Sequence, residues 1–246
     1  MNPISASSAS GDDARPAATA LPRVRVWDAP VRVTHWLIAL CFVGAYLTRE
    51  ADSWRYVHVT LGYTLAGLVV FRVLWGFVGT RHARFASFVR GPAAAWQHLR
   101  SLRRGGGHAV GHNPAGALAV VAMLALALLV TGSGWAIYHE VGGEAFEEVH
   151  ELLANLMLLL VVVHIVAVLA TSLIVRENLV GAMVHGRKSA PQSEGIGSTH
   201  AALAALIVAA VLGWWWLRWY DAPPALPAAP NAERAGGHVH GDDDDD

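Results

Sequence analysis

Five long apolar segments constrain the fold of this chain more than any other feature of its sequence. They lie at about 32–48, 56–79, 115–138, 149–175 and 200–219. A helix that crosses a bilayer needs roughly 17–25 residues at about 1.5 Å each, and every segment meets that length. Charged residues make up only 15% of the chain, against about 25% in soluble proteins. These features predict an all-α, multi-pass membrane protein.

The two ends of the chain differ in composition from this apolar part. Residues 1–22 have neither a basic start nor an apolar core, so they are not a secretory signal peptide, and we expect a disordered tail. Residues 221–246 end in HVHGDDDDD and predict a second disordered, acidic tail, although these side chains could also hold a divalent cation. The single cysteine, Cys41, and the lack of a CxxCH motif argue against disulfides and covalently attached haem.

Residues between the segments indicate separate helices with a defined orientation. Asn113 and Pro114 resemble the N-cap and first position of a helix, and Gly142-Gly143 breaks the chain after it. With the N-terminus placed inside, the inner loops hold fourteen Arg or Lys and five acids, whereas the outer ones hold four Arg and fourteen acids. The positive-inside rule therefore predicts a cytoplasmic N-terminus and a periplasmic C-terminus.

Four histidines stand inside these apolar segments. His150 and His164 are fourteen residues apart, so they share one face of the fourth segment at depths that differ by about 21 Å. Measured from the same outer surface, His58 lies level with His150, and His35 lies level with His164. Two facing imidazoles at one depth can ligate one haem iron and leave no open position for oxygen chemistry, which favours electron transfer.

Each of these residues also has an ordinary structural interpretation. An intramembrane histidine can be a helix-to-helix hydrogen-bond partner, but polar groups in a bilayer are costly and usually functional. Gly62, Gly67 and Gly44 would leave room for a flat macrocycle against the helices. Alternatively, these glycines serve only helix packing. Arg32 and Arg72 could pair with haem propionates, or simply anchor the inner surface.

Several stretches resemble the bacterial cytochrome b561 and nickel-hydrogenase b-type cytochrome family. They are VWDAPVRVTHW (26–36), HVTLGY (58–63), FRVLWGFVGTRHARFASFVRGP (71–92), GHNPAGAL (111–118), VHELLANL (149–156) and RENLVGAMVHGRK (176–188). The resemblance implies a four-helix transmembrane bundle over 23–188 that holds two non-covalent, bis-histidine haems b. It implies that His35 with His164 ligates one iron and His58 with His150 the other. A linker and a fifth transmembrane helix, 189–220, lie beyond this domain.

The remaining candidates carry less specific signals. His82, His98, His108, His112, His185 and His200 lack ligand spacing and are interpreted as surface residues. His139 could serve a quinone or a haem, or lie at the membrane boundary. Hydrolase and nucleotide-binding motifs are missing from suitable contexts, and the inner basic charge has a topological cause, so nucleic-acid binding is not indicated.

The leading functional hypothesis is a dihaem cytochrome of the bacterial inner membrane. It would exchange electrons between the quinone pool, quinone being its substrate, and a periplasmic redox partner such as a c-type cytochrome. Alternatives within the same fold are the cytochrome b subunit of a hydrogenase or other periplasmic dehydrogenase, and a superoxide:quinone oxidoreductase. A metal transporter that uses the membrane histidines is the alternative from another class, and it predicts no haem spectrum.

Overall fold

The computed structural model of the protein describes residues 21–88 and 114–222. Within this part of the chain there are seven helices and two short strands. The helices are α1 Ala29–Leu47, α2 Arg55–Val78, α3 Phe85–Phe88, α4 Pro114–Tyr138, α5 Glu144–Val175, α6 Leu179–His185 and α7 Ala201–Tyr220; the strands are β1 Arg23–Arg25 and β2 Arg187–Ser189. Five of the helices, α1, α2, α4, α5 and α7, are long and apolar enough to cross a membrane.

The long helices pack side by side around one apolar core. α1 lies against α2, α2 against α4, and α4 against α5, while α7 lies against α1 and α2. The core includes Cys41 of α1, Val69 of α2, Val130 of α4 and Met157 of α5, and Val211 of α7 joins it. The prediction of an all-α membrane protein is confirmed in this form.

Local chemistry accounts for where the helices begin and end. The Asp28 carboxylate accepts the Val31 N–H at 2.8 Å and so caps α1. Asn178 caps α6 in the same way, and Gly186 ends α6 with a left-handed φ of 79°. α5 begins at Glu144, directly after Gly142 and Gly143, which both have positive φ.

The fourth segment forms a longer helix than its apolar run suggested. Glu144 and Glu147 lie in the first turn of α5, where negative charge is favoured by the helix dipole. The helix therefore starts five residues before the apolar stretch at 149. Asn113, the expected cap of α4, and both terminal tails apart from residues 21–22 and 221–222 lie outside the described residues.

A small antiparallel ribbon joins the beginning of the chain to the segment after α6. Arg23, Val24 and Arg25 of β1 pair with Ser189, Lys188 and Arg187 of β2. Val24 and Lys188 are buried on one side of the ribbon, and the other residues are exposed. The ribbon was not predicted, and it fixes the start of α1 against the end of α6.

Candidate functional site

The rings of His58 on α2 and His150 on α5 lie close together. Their ring centroids are 6.2 Å apart and the ring planes are inclined by 76°. Imidazole nitrogens bind metal ions at about 2 Å. If both rings bound one metal ion from opposite sides, their centroids would be separated by two metal–nitrogen bonds and two ring radii. That sum is close to the observed centroid distance of 6.2 Å. The pair thus has a spacing at which both rings could hold one metal ion.

Hydrogen bonds to the backbone determine which nitrogen of each ring is left for a ligand. His58 Nδ1 lies 2.8 Å from the carbonyl oxygen of Ala45, and His150 Nδ1 lies 3.0 Å from that of Val130. A carbonyl oxygen only accepts, so each Nδ1 is the protonated nitrogen that donates. In the neutral rings Nε2 then carries the lone pair, which is the form of histidine that ligates metals.

Two small residues of α4 shape the surroundings of His150. The Ser133 hydroxyl donates to the Val130 carbonyl at 2.9 Å, and its oxygen lies 3.0 Å from His150 Nδ1. A Cβ atom at Gly134 would stand 3.0 Å from Cε1 of His150. The α4 sequence TGSG therefore allows the ring to lie close to the helix and holds it there, as a supporting shell does for a metal ligand.

His35 and His164, on α1 and α5, form the second group. Both side chains are partly buried, and His35 interacts electrostatically with His164 and with Arg72. The Nδ1 atom of His35 is buried without a hydrogen-bond partner among the described residues. A buried polar atom without a partner is costly, and a metal bound through Nε2 would leave this Nδ1 unpaired, so the atom does not by itself identify a ligand.

The two predicted arginines have different surroundings. Arg32 Nη1 donates to the Val184 carbonyl at 2.6 Å, so its guanidinium lies against α6. Arg72 is buried, interacts electrostatically with His35, and donates to the Ala83 carbonyl at 3.4 Å. Arg72 is consequently the better placed of the two to balance a negative group beside His35.

The predicted glycines also differ in their surroundings. A Cβ atom at Gly62 or Gly67 would meet no other atom within 4 Å, whereas one at Gly44 would collide with the Leu61 side chain at 2.7 Å. Gly44 thus serves the close packing of α1 and α2. The open space at Gly62, one turn from His58, suits a flat group.

Taken together, the residues present fit haem. The two histidine groups come from α1, α2 and α5, the three helices named from sequence. The 58/150 pair has the spacing and the tautomer expected of two ligands of one metal ion, and in the second group His35 interacts electrostatically with His164. Such an arrangement can carry one-electron chemistry.

The other histidines give one correction. His82 is buried rather than exposed, because its Nε2 bonds the Glu194 carbonyl at 2.9 Å between two loops. His185 and His200 are exposed, in agreement with the surface interpretation. His139 is exposed at the end of α4, with Nε2 3.3 Å from the Tyr63 hydroxyl. His98, His108, His112 and the HVHGDDDDD tail lie outside the described residues.

Sequence reasoning missed two supporting residues. The sequence does not single out Ser133 as a supporting residue, because serines are common in apolar helices. Asp28 is buried and accepts from Trp75 Nε1 at 3.0 Å and from Thr80 at 2.6 Å, which ties α1 to the end of α2. An acidic residue just before a helix that begins with proline indicates a helix cap. It does not indicate that the same carboxylate also accepts from Trp75 and Thr80.

The fold and its histidine groups define a multi-pass, all-helical membrane protein with a close pair of imidazoles between two of its helices. The family model described as "Prokaryotic cytochrome b561" matches residues 26–186, so the chain belongs to that family. Membership implies that the protein binds b-type haem and serves in membrane electron transfer.

Curated relatives agree with this family. A "Probable Ni/Fe-hydrogenase B-type cytochrome subunit" of Rhizobium leguminosarum bv. viciae is 28% identical over 211 residues, which cover 67% of this chain and 88% of the relative. The protein of the same description from Azotobacter vinelandii is 27% identical over 209 residues, 66% and 87% of the two chains. A "Probable Ni/Fe-hydrogenase 1 B-type cytochrome subunit" of Escherichia coli (strain K12) is 26% identical over 143 residues, 47% and 60%. No solved structure matches.

Proposed function

We propose that the protein is a dihaem b-type cytochrome that carries electrons across the bacterial inner membrane. His58 with His150 would hold one haem, and His35 with His164 the other. The observation that carries this proposal is the pair of rings whose centroids are 6.2 Å apart, each with Nδ1 bonded to a carbonyl of a neighbouring helix.

The protein's own residues have distinct parts in this function. The carbonyls of Ala45 and Val130 fix the tautomers and orientations of His58 and His150, so that Nε2 is available. Arg72 supplies positive charge beside His35, suited to a propionate. Bis-histidine haem, when bound, supplies one-electron exchange without an open coordination position. Two such centres at different depths would connect the two membrane surfaces.

Quinone is proposed as the membrane-soluble substrate, and a periplasmic redox protein as the other partner. A c-type cytochrome is favoured by five exposed acids around the turn between α4 and α5, beside His150; they are Glu140, Glu144, Glu147, Glu148 and Glu151. Such a surface attracts a cationic partner and speeds its encounter. The proposed orientation, with the N-terminus cytoplasmic and the C-terminus periplasmic, is supported by the distribution of loop charge.

A hydrogenase or another periplasmic dehydrogenase is the second candidate partner. It is favoured by the descriptions of the curated relatives, which are hydrogenase cytochrome subunits. The two candidates differ in how they associate, since a dehydrogenase subunit stays bound through purification and a soluble c-type cytochrome exchanges. Purification from native membranes under mild detergent, followed by identification of co-purifying proteins, separates them.

Haem quantification and spectroscopy test the proposed function itself. We expect two haems per chain, fully extracted by acidified acetone, and low-spin spectra in both oxidation states, because four imidazoles saturate two irons. A ratio near one haem per chain, haem retained on the polypeptide, or a high-spin spectrum would contradict the proposal. His200→Ala, which alters an exposed histidine outside both groups, serves as the matched control.

A further inference from the structure

A basic pocket lies at the end of the molecule where α1 and α7 begin. Its volume is about 610 Å³. Four arginines and one histidine line it, together with the first residues of the two helices: Arg23, Arg25, Arg32, Arg187 and His185, with Ala29 and Ala201. None of the proposed haem ligands takes part in it.

The register of the ribbon concentrates positive charge on one side of this pocket. Arg25 of β1 is directly opposite Arg187 of β2, and Arg23 is two residues from Arg25 on the same side. Like charges directly opposite in an antiparallel pair are destabilising. The positive-inside rule explains why this end of the chain is basic, but not why the arginines are placed against one another.

The acids nearby are engaged elsewhere. Asp28 is buried with three donors on its carboxylate, Glu177 lies 3.7 Å from the Lys188 ammonium and accepts the Ser189 N–H, and Glu194 pairs with Arg81. Within residues 21–88 and 114–222, no carboxylate lies within 4.0 Å of the four pocket arginines. Among the described residues, the positive charge of the pocket is therefore uncompensated.

The backbone around the pocket orients Arg32. Its Nη1 donates to the Val184 carbonyl at 2.6 Å and its Nε lies 3.4 Å from the Asp28 carbonyl. Gly186 permits this close arrangement: with φ of 79°, a Cβ there would lie 2.7 Å from the Trp27 carbonyl and 3.2 Å from Arg32 Nε. Arg32 is thus held in place before any ligand arrives.

We infer that this pocket binds the phosphate of an anionic phospholipid headgroup. Guanidinium groups donate paired, charge-assisted hydrogen bonds to phosphate oxygens. Ala29 and Ala201 are the first residues of two membrane-spanning helices, so the pocket lies at headgroup depth. Basic pockets between transmembrane helices suit such lipids. The bound headgroup would neutralise the Arg25–Arg187 pair and link the ribbon to α7.

Native mass spectrometry of the full-length, delipidated protein in detergent tests this inference. Cardiolipin and phosphatidylglycerol are added in one arm, phosphatidylcholine in a second and inorganic phosphate in a third. The variant Arg25→Gln/Arg187→Gln is compared with the wild type and with Arg84→Gln, an exposed arginine at the same end of the molecule but outside the pocket. Arg187→Lys, which retains the charge, covers the case in which the double variant does not fold.

The anionic lipids should bind the wild type and Arg84→Gln equally, and phosphatidylcholine far more weakly. The double variant should bind them roughly 30-fold more weakly, as expected for two arginines near a membrane surface. Arg187→Lys should lose part of this affinity, because an ammonium cannot form the paired bonds. Equal binding by wild type and double variant would overturn the inference. So would an equal loss in Arg84→Gln, or binding of inorganic phosphate without binding of lipid.

Discussion

The Tyr46 hydroxyl of α1 donates to the side-chain oxygen of Asn155 on α5 at 3.0 Å. Arg49, just beyond α1, donates to the same oxygen at 3.2 Å. Asn155 lies on α5 between His150 and His164, so these bonds hold α1 and α5 together between the two levels of histidines. α1 carries His35 and α5 carries its proposed partner, and the spacing of the two helices sets the spacing of those rings.

Loss of this contact should therefore loosen α1 from α5. We expect Tyr46→Phe to lower the free energy of unfolding by about 0.6 kcal/mol, the mean value for hydrogen bonds between membrane helices. Unfolding of the purified protein in mixed micelles measures it. Tyr220→Phe, at the exposed end of α7, is the control. If both variants unfold like the wild type, the Tyr46 bond contributes nothing to the packing of these helices.

Single histidine substitutions should separate the two proposed haem centres. His58→Ala should abolish the centre it shares with His150, and His35→Ala the one it shares with His164, each leaving about half of the haem. Redox titration followed in the visible spectrum distinguishes the remaining centres. Loss of the same centre in the His35 and His58 variants would refute the pairing.

Ser133→Ala should shift the midpoint potential of one centre upward. The Nδ1 proton of His150, which is donated to the Val130 carbonyl, is shared with Ser133 Oγ at 3.0 Å, and this second acceptor makes the ligand more basic. A more basic ligand stabilises the oxidised iron, so its removal favours the reduced form. Thr131→Ala, whose hydroxyl donates only within α4, is the control. An unchanged potential, or an equal shift of both centres, would show that Ser133 does not act through His150.

Much of this arrangement follows from sequence because the rise of a helix is fixed. Counting residues from one membrane surface brought His58 and His150 to the same depth, and their rings are 6.2 Å apart in the structure. The pairing of His35 with His164 stays a prediction. The bounds of α1, α2, α4 and α7 lie close to those of the apolar segments.

The features that could not be predicted depend on contacts between distant residues. Three-residue strands such as β1 and β2 carry no readable alternation, and their pairing joins residues more than 160 positions apart. His82 is buried because a loop after α6 covers it, with Glu194 as its partner. Nothing in its own neighbourhood distinguishes it from a surface histidine.

Lys188 should give the stability a distinctive pH dependence. Burial lowers its pKa from the ordinary 10.5, and the Glu177 charge opposes part of that shift. The unfolded state therefore binds more protons between the lowered pKa and 10.5, so the free energy of unfolding should rise as pH increases through that range. Lys188 is the only lysine of the chain. Lys188→Met and Lys188→Arg should both remove its contribution to the rise, because neither side chain titrates there. An equal rise in all three proteins would assign it to other groups.

The acidic surface between α4 and α5 should govern the encounter with the proposed periplasmic partner. Its five glutamates are exposed, and no ion pair within the described residues involves them. Exposed charges act mainly on association rate, over a Debye length that falls from about 30 Å at 0.01 M salt to about 10 Å at 0.1 M. Electron exchange with a cationic c-type cytochrome should consequently slow steeply as salt rises.

Stopped-flow mixing across a salt series checks this last expectation. Glu147→Gln/Glu148→Gln/Glu151→Gln should slow the reaction at low salt and flatten its salt dependence, while reduction by a neutral small molecule should stay unchanged in the same variant. Removal of Asp242–Asp246, outside the described residues, should flatten part of the dependence if the tail assists capture. A wild-type rate that ignores salt, or rises with it, would exclude docking on this surface. A tightly bound dehydrogenase subunit, or an anionic substrate such as superoxide, would then be the better partner, because neither needs electrostatic capture by an acidic face.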